Sequence, residues 1–83
     1  MPTPDELKAL RTVYEIIEEG KRATIYSVAA RMRRSSHMAT VILQSLGRTD
    51  YIDLLISGEC RITSKGFKAL GKDEVEVWKR KYK

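Results

Sequence analysis

The sequence predicts one small domain that is mainly α-helical and carries a single β-hairpin. Three segments between residues 5 and 48 repeat apolar side chains every three or four positions, which is typical of amphipathic helices. After residue 50 the apolar spacing changes to two, and a glycine-containing turn follows, as in a hairpin. With 83 residues, the chain has enough length for one domain with a small core.

The first helix is predicted to start at Pro4 and to end before Gly20. Thr3 and Glu6 have the spacing of a capping box, and Pro4 suits the first helical position. Gly20 can adopt the left-handed conformation that closes a helix. The predicted buried stripe consists of Leu7, Leu10, Val13, Tyr14 and Ile17.

Two shorter helices are predicted to follow in close succession. The second starts near Ile25 after Thr24 as N-cap, and its apolar face consists of Ile25, Val28, Ala29 and Met32. Ser35 and Ser36 offer the next N-cap, so the third helix is expected from about His37 to Leu46, with Gly47 as its C-cap. Its predicted buried stripe consists of Ala39, Ile42, Leu43 and Leu46.

The predicted hairpin spans residues 51–63. Residues 51–56 alternate, which places Ile52, Leu54 and Ile56 on one side of a strand. Residues 57–59 form the turn, and Cys60 and Ile62 share a face of the returning strand. A two-stranded hairpin is not stable alone, so it has to pack on the helices.

Two C-terminal helical segments complete the prediction. Thr63 or Ser64 caps a short fourth helix, which Gly71 closes. Residues 1–71 are therefore expected to form the domain, and residues 72–83 a basic helical tail. Val75, Trp78 and Tyr82 lie on one face of that tail. They are expected either to pack on the first helix or to form the contact of a homodimer.

The charge is distributed unevenly along the chain. The formal net charge is +5, yet the first 20 residues carry more acidic than basic side chains. Residues 21–48 contain six basic side chains and no acidic one. An acid-free stretch of this length indicates a surface for a polyanion, most often a nucleic acid, although a solvated basic face would look the same.

The order of elements resembles that of a winged helix-turn-helix domain. Residues 29–35 resemble the start of the helix-turn-helix motif: a small residue, two spacers, an apolar residue, two spacers and a serine. Residues 62–70 are similar to the Leu-Thr-x-x-Gly-x-x-x-Leu stretch that follows the wing in MarR-like and PadR-like regulators. The resemblance covers residues 5–71 and implies a three-helix core, a short two-stranded wing and C-terminal helices.

The resemblance implies a partner, double-stranded DNA, and a set of contact residues. In this superfamily the third helix enters the major groove and its exposed side chains read base edges. Carried over by position, the residues expected to contact bases are Ser36, His37, Thr40, Val41 and Gln44. The residues expected to contact phosphates, which position a protein without reading sequence, are Lys21, Arg22, Arg31, Arg33, Arg34, Arg48 and Arg61. The expected function is that of a small transcriptional regulator in the cytoplasm of a bacterium or archaeon, or in a cell infected by one of their viruses.

Little in the sequence suggests an enzyme or a cofactor. The chain has one cysteine and one histidine, too few for a Cys/His metal site, and no glycine-rich phosphate loop. His37 has no carboxylate at a spacing that would build a catalytic triad, and Cys60 is expected to be a half-buried strand residue. Asp50 and Asp53 are expected to be solvated. We therefore expect neither a metal, nor a cofactor, nor a catalytic residue.

Two other interpretations remain open. A winged helix can serve as a protein-contact module in a larger complex, and an exposed apolar patch formed by Met38 and Val41 would favour that role. Binding of RNA or single-stranded DNA normally uses exposed aromatic side chains on a sheet, and here Tyr51 is the candidate.

Overall fold

The computed structural model describes residues 2–71, which form four helices and one two-stranded antiparallel sheet. The helices are α1 (Pro4–Glu18), α2 (Ile25–Met32), α3 (Ser36–Arg48) and α4 (Ser64–Ala69). The strands are β1 (Ile52–Leu54) and β2 (Cys60–Ile62). The prediction of a mainly helical domain with one small hairpin is confirmed. The tail residues Val75, Trp78 and Tyr82 lie outside the described residues.

The helices begin where their capping residues predict. Thr3 and Glu6 form the predicted capping box: the backbone N–H of Thr3 donates to Glu6 Oε1 at 2.8 Å, and that of Glu6 donates to Thr3 Oγ1 at 3.1 Å. Thr24 forms a second capping box, with Ser27. Ser35 caps α3, so this helix starts at Ser36, one residue earlier than expected. Each cap satisfies backbone donors that the first turn leaves unpaired.

The core lies between α1, α2, α3 and the inner face of the hairpin. The buried stripe of α3 is as predicted, and Leu43 and Leu46 are fully buried. On α1 the prediction was partly wrong: Leu7 is only partly buried, whereas Ala9 and Ile16 belong to the core. The reason is that α1 packs against α2, α3 and β2 together, so its buried face is wider than one stripe.

The end of α3 differs from the prediction. Gly47 is a residue within the helix and not its C-cap, because the helix continues to Arg48. The left-handed conformation falls on Asp50, with φ of 66°. β1 packs on α3, and a Cβ at Gly47 would lie 3.7 Å from Leu54 Cβ. The ammonium of Lys65 donates to the backbone carbonyl of Thr49 at 2.9 Å, which satisfies an acceptor beyond the helix end.

The hairpin is shorter than the alternating pattern predicts. In register, Ile52 pairs with Ile62 and Leu54 with Cys60. The strand β1 then ends, and Ile56 is not on its inner face but fully exposed in a turn over residues 55–58. Gly58 N–H closes this turn onto the Leu55 carbonyl at 2.9 Å. The Leu55 N–H donates to the Glu59 carbonyl at 2.9 Å across this turn. The backbone of Glu59 also pairs with Thr24 in an isolated bridge, which the sequence pattern did not indicate.

The described residues form no helix that is long and apolar enough to cross a bilayer.

Candidate nucleic-acid interface

The most exposed stripe of α3 is formed by His37, Val41, Gln44 and Arg48, which we call the α3 face. Its members are spaced by four, three and four residues, so they lie above one another on the side opposite the buried stripe. All four are exposed. The sequence of α3 contains no carboxylate, so the α3 face presents an amide, an imidazole, an aliphatic group and a guanidinium without a negative charge among them.

Two other predicted base contacts lie on the flank of α3. Ser36 is exposed at the first turn, and Thr40 is partly buried. The Thr40 hydroxyl donates to the backbone carbonyl of Ser36 at 2.7 Å. That bond occupies the hydroxyl hydrogen and leaves the oxygen lone pairs and the methyl group available to a ligand.

The hairpin runs beside this flank and leaves an opening at each end of α3. At the start of α3, Tyr26 and Ile56 line one opening together with His37 and Thr40. At the end of α3, Gln44 and Arg48 line another together with Asp53 and Leu54 of β1. The α3 face is thus bordered along its length by the hairpin, and Asp53 places a carboxylate at one end.

Arg31 and Arg34 face α1 instead of lying free for phosphate. Arg31 forms a bidentate ion pair with the carboxylate of Glu19, and Arg34 Nη2 lies 3.6 Å from Asp5 Oδ1. The hydrogen bond from Arg31 lowers the pKa of Glu19 to about 2, and Glu19 in turn raises the pKa of Arg31. Ion pairs of these two arginines therefore link the end of α2 to the two ends of α1.

Arg33 and Arg48 are differently placed. Arg33 is exposed in the turn between α2 and α3, and Arg48 ends the α3 face. Within residues 2–71 neither forms an ion pair with a carboxylate. Arg33 also has φ of 56°, a left-handed conformation that costs a side-chain-bearing residue roughly 1–2 kcal/mol. A glycine would fit this turn better, so the guanidinium is present despite a backbone cost.

Lys21, Arg22 and Arg61 form a third group, away from α3. They line a cleft between the end of α1, β2 and α4, and no α3 residue lines it. Lys21 lies 3.6 Å from Glu19, and Arg61 lies 3.4 Å from Glu59. The seven predicted phosphate contacts are therefore distributed over three places, and among them only Arg33, in the turn before α3, and Arg48, at the end of α3, flank this helix without an ion pair in residues 2–71.

Tyr26 and Ile56 are exposed side chains that the sequence analysis did not select as site residues. Tyr26 is 77% exposed and stands beside the start of α3. Its position could have been noticed, because it falls outside the apolar face that begins at Ile25. Ile56 could not, because the alternating pattern assigned it to the core.

The remaining candidates for chemistry behave as structural residues. Cys60 is fully buried, more than the half-buried position expected. Burial, with a smaller effect of the Glu59 carboxylate, raises the pKa of its thiol to about 11, so the thiol is protonated at neutral pH. Among the described residues no group of His, Cys, Asp and Glu side chains is arranged to hold a metal ion.

Comparison with known proteins assigns the chain to no family. No protein-family model matches the sequence, and a search of curated proteins finds none with significant similarity. The function of the α3 face has to be inferred from its own side chains, and the likeness to MarR-like and PadR-like regulators stays a prediction.

Proposed function

We propose that residues 2–71 form a winged helix-turn-helix domain that binds double-stranded DNA by placing α3 in the major groove. The observation that carries this proposal is the α3 face: an exposed stripe without carboxylates, with an unpaired arginine at each end. A surface of this kind suits a polyanion, because no carboxylate lies within the stripe itself and Asp53 borders it only at the end that carries Arg48.

The dimensions of α3 are compatible with this role. A helix with its side chains is about 10–12 Å wide, and the major groove is about 12 Å wide. The 13 residues of α3 extend over roughly 20 Å at about 1.5 Å per residue, which separates Arg33 from Arg48 enough to reach phosphates on different parts of the duplex. The start of α3 carries no acidic residue in its first turn, so its positive dipole end also favours a phosphate.

The members of the α3 face supply the groups that read bases. The Gln44 amide can form two hydrogen bonds with adenine, and the methyl groups of Val41 can contact the methyl group of thymine. His37 can donate to or accept from a base edge at the start of the helix. Arg33 and Arg48 hold the phosphates that fix the register of the helix in the groove.

A titration of labelled random duplex DNA by fluorescence anisotropy, at several salt concentrations, tests the proposal. Two phosphate contacts give a slope of log K against log salt of about −2, at about 0.9 per contact, and each further contact makes it steeper. Arg33→Gln and Arg48→Gln are each expected to reduce the slope by about one unit. Arg31→Gln is the matched control: it removes the same charge two residues away from Arg33, and the slope is expected to stay unchanged because Arg31 faces Glu19.

Two outcomes would contradict the proposal. One is the absence of duplex binding at low salt. The other is an equal loss of slope in Arg31→Gln and Arg33→Gln, which would mean that only net charge, and no placed arginine, drives the binding.

A protein-contact module is the second candidate function. The observation in its favour is that Met38 and Val41 are 40% and 46% exposed on α3. Val41→Ser separates the two functions: it touches no phosphate, so non-specific duplex affinity should be retained, whereas an apolar protein contact centred there would weaken. The structure offers less to single-strand binding, since the Lys65 ammonium lies 4.5 Å from the centre of the Tyr51 ring and covers one of its faces.

A further inference from the structure

The cleft that contains Lys21, Arg22 and Arg61 has the properties of a docking site, and we call it the β2 cleft. It opens between the end of α1, strand β2 and α4, and its apolar lining includes Ile17, Ile62 and Phe67. No α3 residue lines it, so whatever occupies it leaves the α3 face uncovered. We propose that the β2 cleft binds residues 73–78 of this same chain, the segment Asp73-Glu74-Val75-Glu76-Val77-Trp78.

The charge on the rim of the cleft complements that of the segment. Lys21, Arg22 and Arg61 contribute three cationic groups, all exposed. Glu19 and Glu59 pair with Lys21 and Arg61, whereas Arg22 forms no ion pair with a carboxylate in residues 2–71. The rim keeps an excess of positive charge, and three of the four residues from 73 to 76 are acidic.

The apolar residues of the segment complement the lining of the cleft. Val75, Val77 and Trp78 alternate with or follow the acidic residues. They are the largest apolar group in the chain outside residues 2–71, and they can cover the accessible edges of Ile17, Ile62 and Phe67 in the wall of the β2 cleft. Removing such side chains from water is favourable in proportion to the apolar surface that is covered, and this is the main driving force for docking.

The connection between α4 and the segment is short enough for docking within one chain. Phe67 lies in the last turn of α4 and lines the cleft. The helix ends at Ala69, and Gly71 has φ of 70°, which turns the chain away from the helix axis. Residues 72–78 extend over at most about 25 Å. A second copy of the chain is therefore not needed to bring Trp78 to the cleft.

Docking has a consequence for the basic residues of the rim. With the segment in place, Lys21, Arg22 and Arg61 face its carboxylates and do not contact nucleic acid. This inference is independent of the proposed DNA binding, because it concerns a different face and its test needs no DNA.

The fluorescence of Trp78, the only tryptophan of the chain, tests the docking in the full-length protein. In the wild type we expect a blue-shifted emission and a several-fold lower acrylamide quenching constant than for free tryptophan, both independent of protein concentration. Arg22→Glu combined with Arg61→Glu should shift the emission to the red and raise the quenching constant several-fold. Arg11→Glu combined with Arg48→Glu is the matched control with the same change of charge outside the cleft, and it should leave both quantities unchanged.

Three results would overturn the inference. If the acrylamide quenching constant of Trp78 in the wild type equals that of free tryptophan, Trp78 is not docked. A Trp78 whose shielding is lost on dilution, with a parallel fall in sedimentation coefficient, is covered by a second copy. A Trp78 whose shielding is equal in the rim and control variants is covered elsewhere on the chain. Circular dichroism verifies that the variants are folded, and should the charge reversal unfold the chain, Arg22→Gln with Arg61→Gln gives the same comparison in milder form.

Discussion

Replacing Gly66 by alanine is expected to destabilise the domain, although alanine is the better helix former. Gly66 lies in α4 where this helix packs against the hairpin, and a Cβ there would stand 2.2 Å from the carbonyl oxygen of Tyr51 and 2.7 Å from Ile62 Cγ2. The closer of these neighbours is backbone and cannot rotate away. The Tyr51 carbonyl also accepts the backbone N–H of Thr63 at 3.3 Å, so moving it disturbs the base of the hairpin.

The expected size of the effect follows from two opposing contributions. Overpacking costs about 1–3 kcal/mol, and more where backbone has to move. Alanine returns up to about 1 kcal/mol through helix propensity. Because the closest neighbour is backbone, the upper end of the overpacking cost applies, and the net loss is about 2 kcal/mol. A loss of this kind lowers Tm by about 4–8 °C per kcal/mol in a domain of this size.

Gly47→Ala is the matched control, because its Cβ would make only an ordinary contact, 3.7 Å from Leu54 Cβ. Inside α3 this change is expected to stabilise the domain by about 0.5–1 kcal/mol. Urea unfolding followed by circular dichroism gives both free energies. If Gly66→Ala proved as stable as the wild type, or more stable, the close approach of α4 to the Tyr51 carbonyl would be refuted.

Two further predictions concern the candidate interface, and one concerns the ion pair between Arg31 and Glu19. Arg33→Gly should raise the free energy of unfolding by about 0.5–1 kcal/mol, because glycine adopts the left-handed conformation without the cost that arginine incurs. The same change should weaken duplex binding. Urea unfolding measures the first effect and fluorescence anisotropy the second, and an unchanged affinity would show that Arg33 is not part of the interface. Arg31 lowers the pKa of Glu19 in the folded state from 4.5 to about 2. The ion pair therefore stabilises the fold fully above pH 4.5, and this contribution is lost as the pH falls from 4.5 through 2. The stability of Glu19→Gln should depend less on pH over that range in an acid-unfolding experiment, and an unchanged profile would contradict the ion pair. Gln44→Ala should cost about 1–3 kcal/mol on a preferred duplex and relax the preference at one base pair, and a selection from random duplexes that returns the same sequence with both proteins would show that Gln44 reads no base.

The sequence predicted the structure correctly wherever the interaction that determines an element is local. The capping residues Thr3, Thr24 and Thr63 accept hydrogen bonds from backbone groups three residues away, so the helix starts could be predicted from spacing alone. The buried stripe of α3 is equally local, because apolar residues at helical spacing share one face in any environment. The same periodicity defines the exposed positions of α3, and His37, Val41 and Gln44 lie there as expected.

Contacts between distant parts of the chain determined what the sequence pattern missed. These features are the end of β1, the width of the buried face of α1 and the roles of the basic residues. Ile56 continues the alternating pattern, yet it lies in the turn that Gly58 and Leu55 close, and beyond this turn Glu59 pairs with Thr24, 35 positions away in the chain. Arg31 and Arg33 are the same residue type two positions apart, but only Arg31 forms an ion pair with Glu19, the C-cap of α1. Sequence alone established that residues 21–48 are basic and that four helices and a hairpin form within residues 2–71. Which arginines stay free could be decided only by the tertiary structure, because an ion pair depends on a distance of a few ångströms between side chains that the chain brings together only on folding.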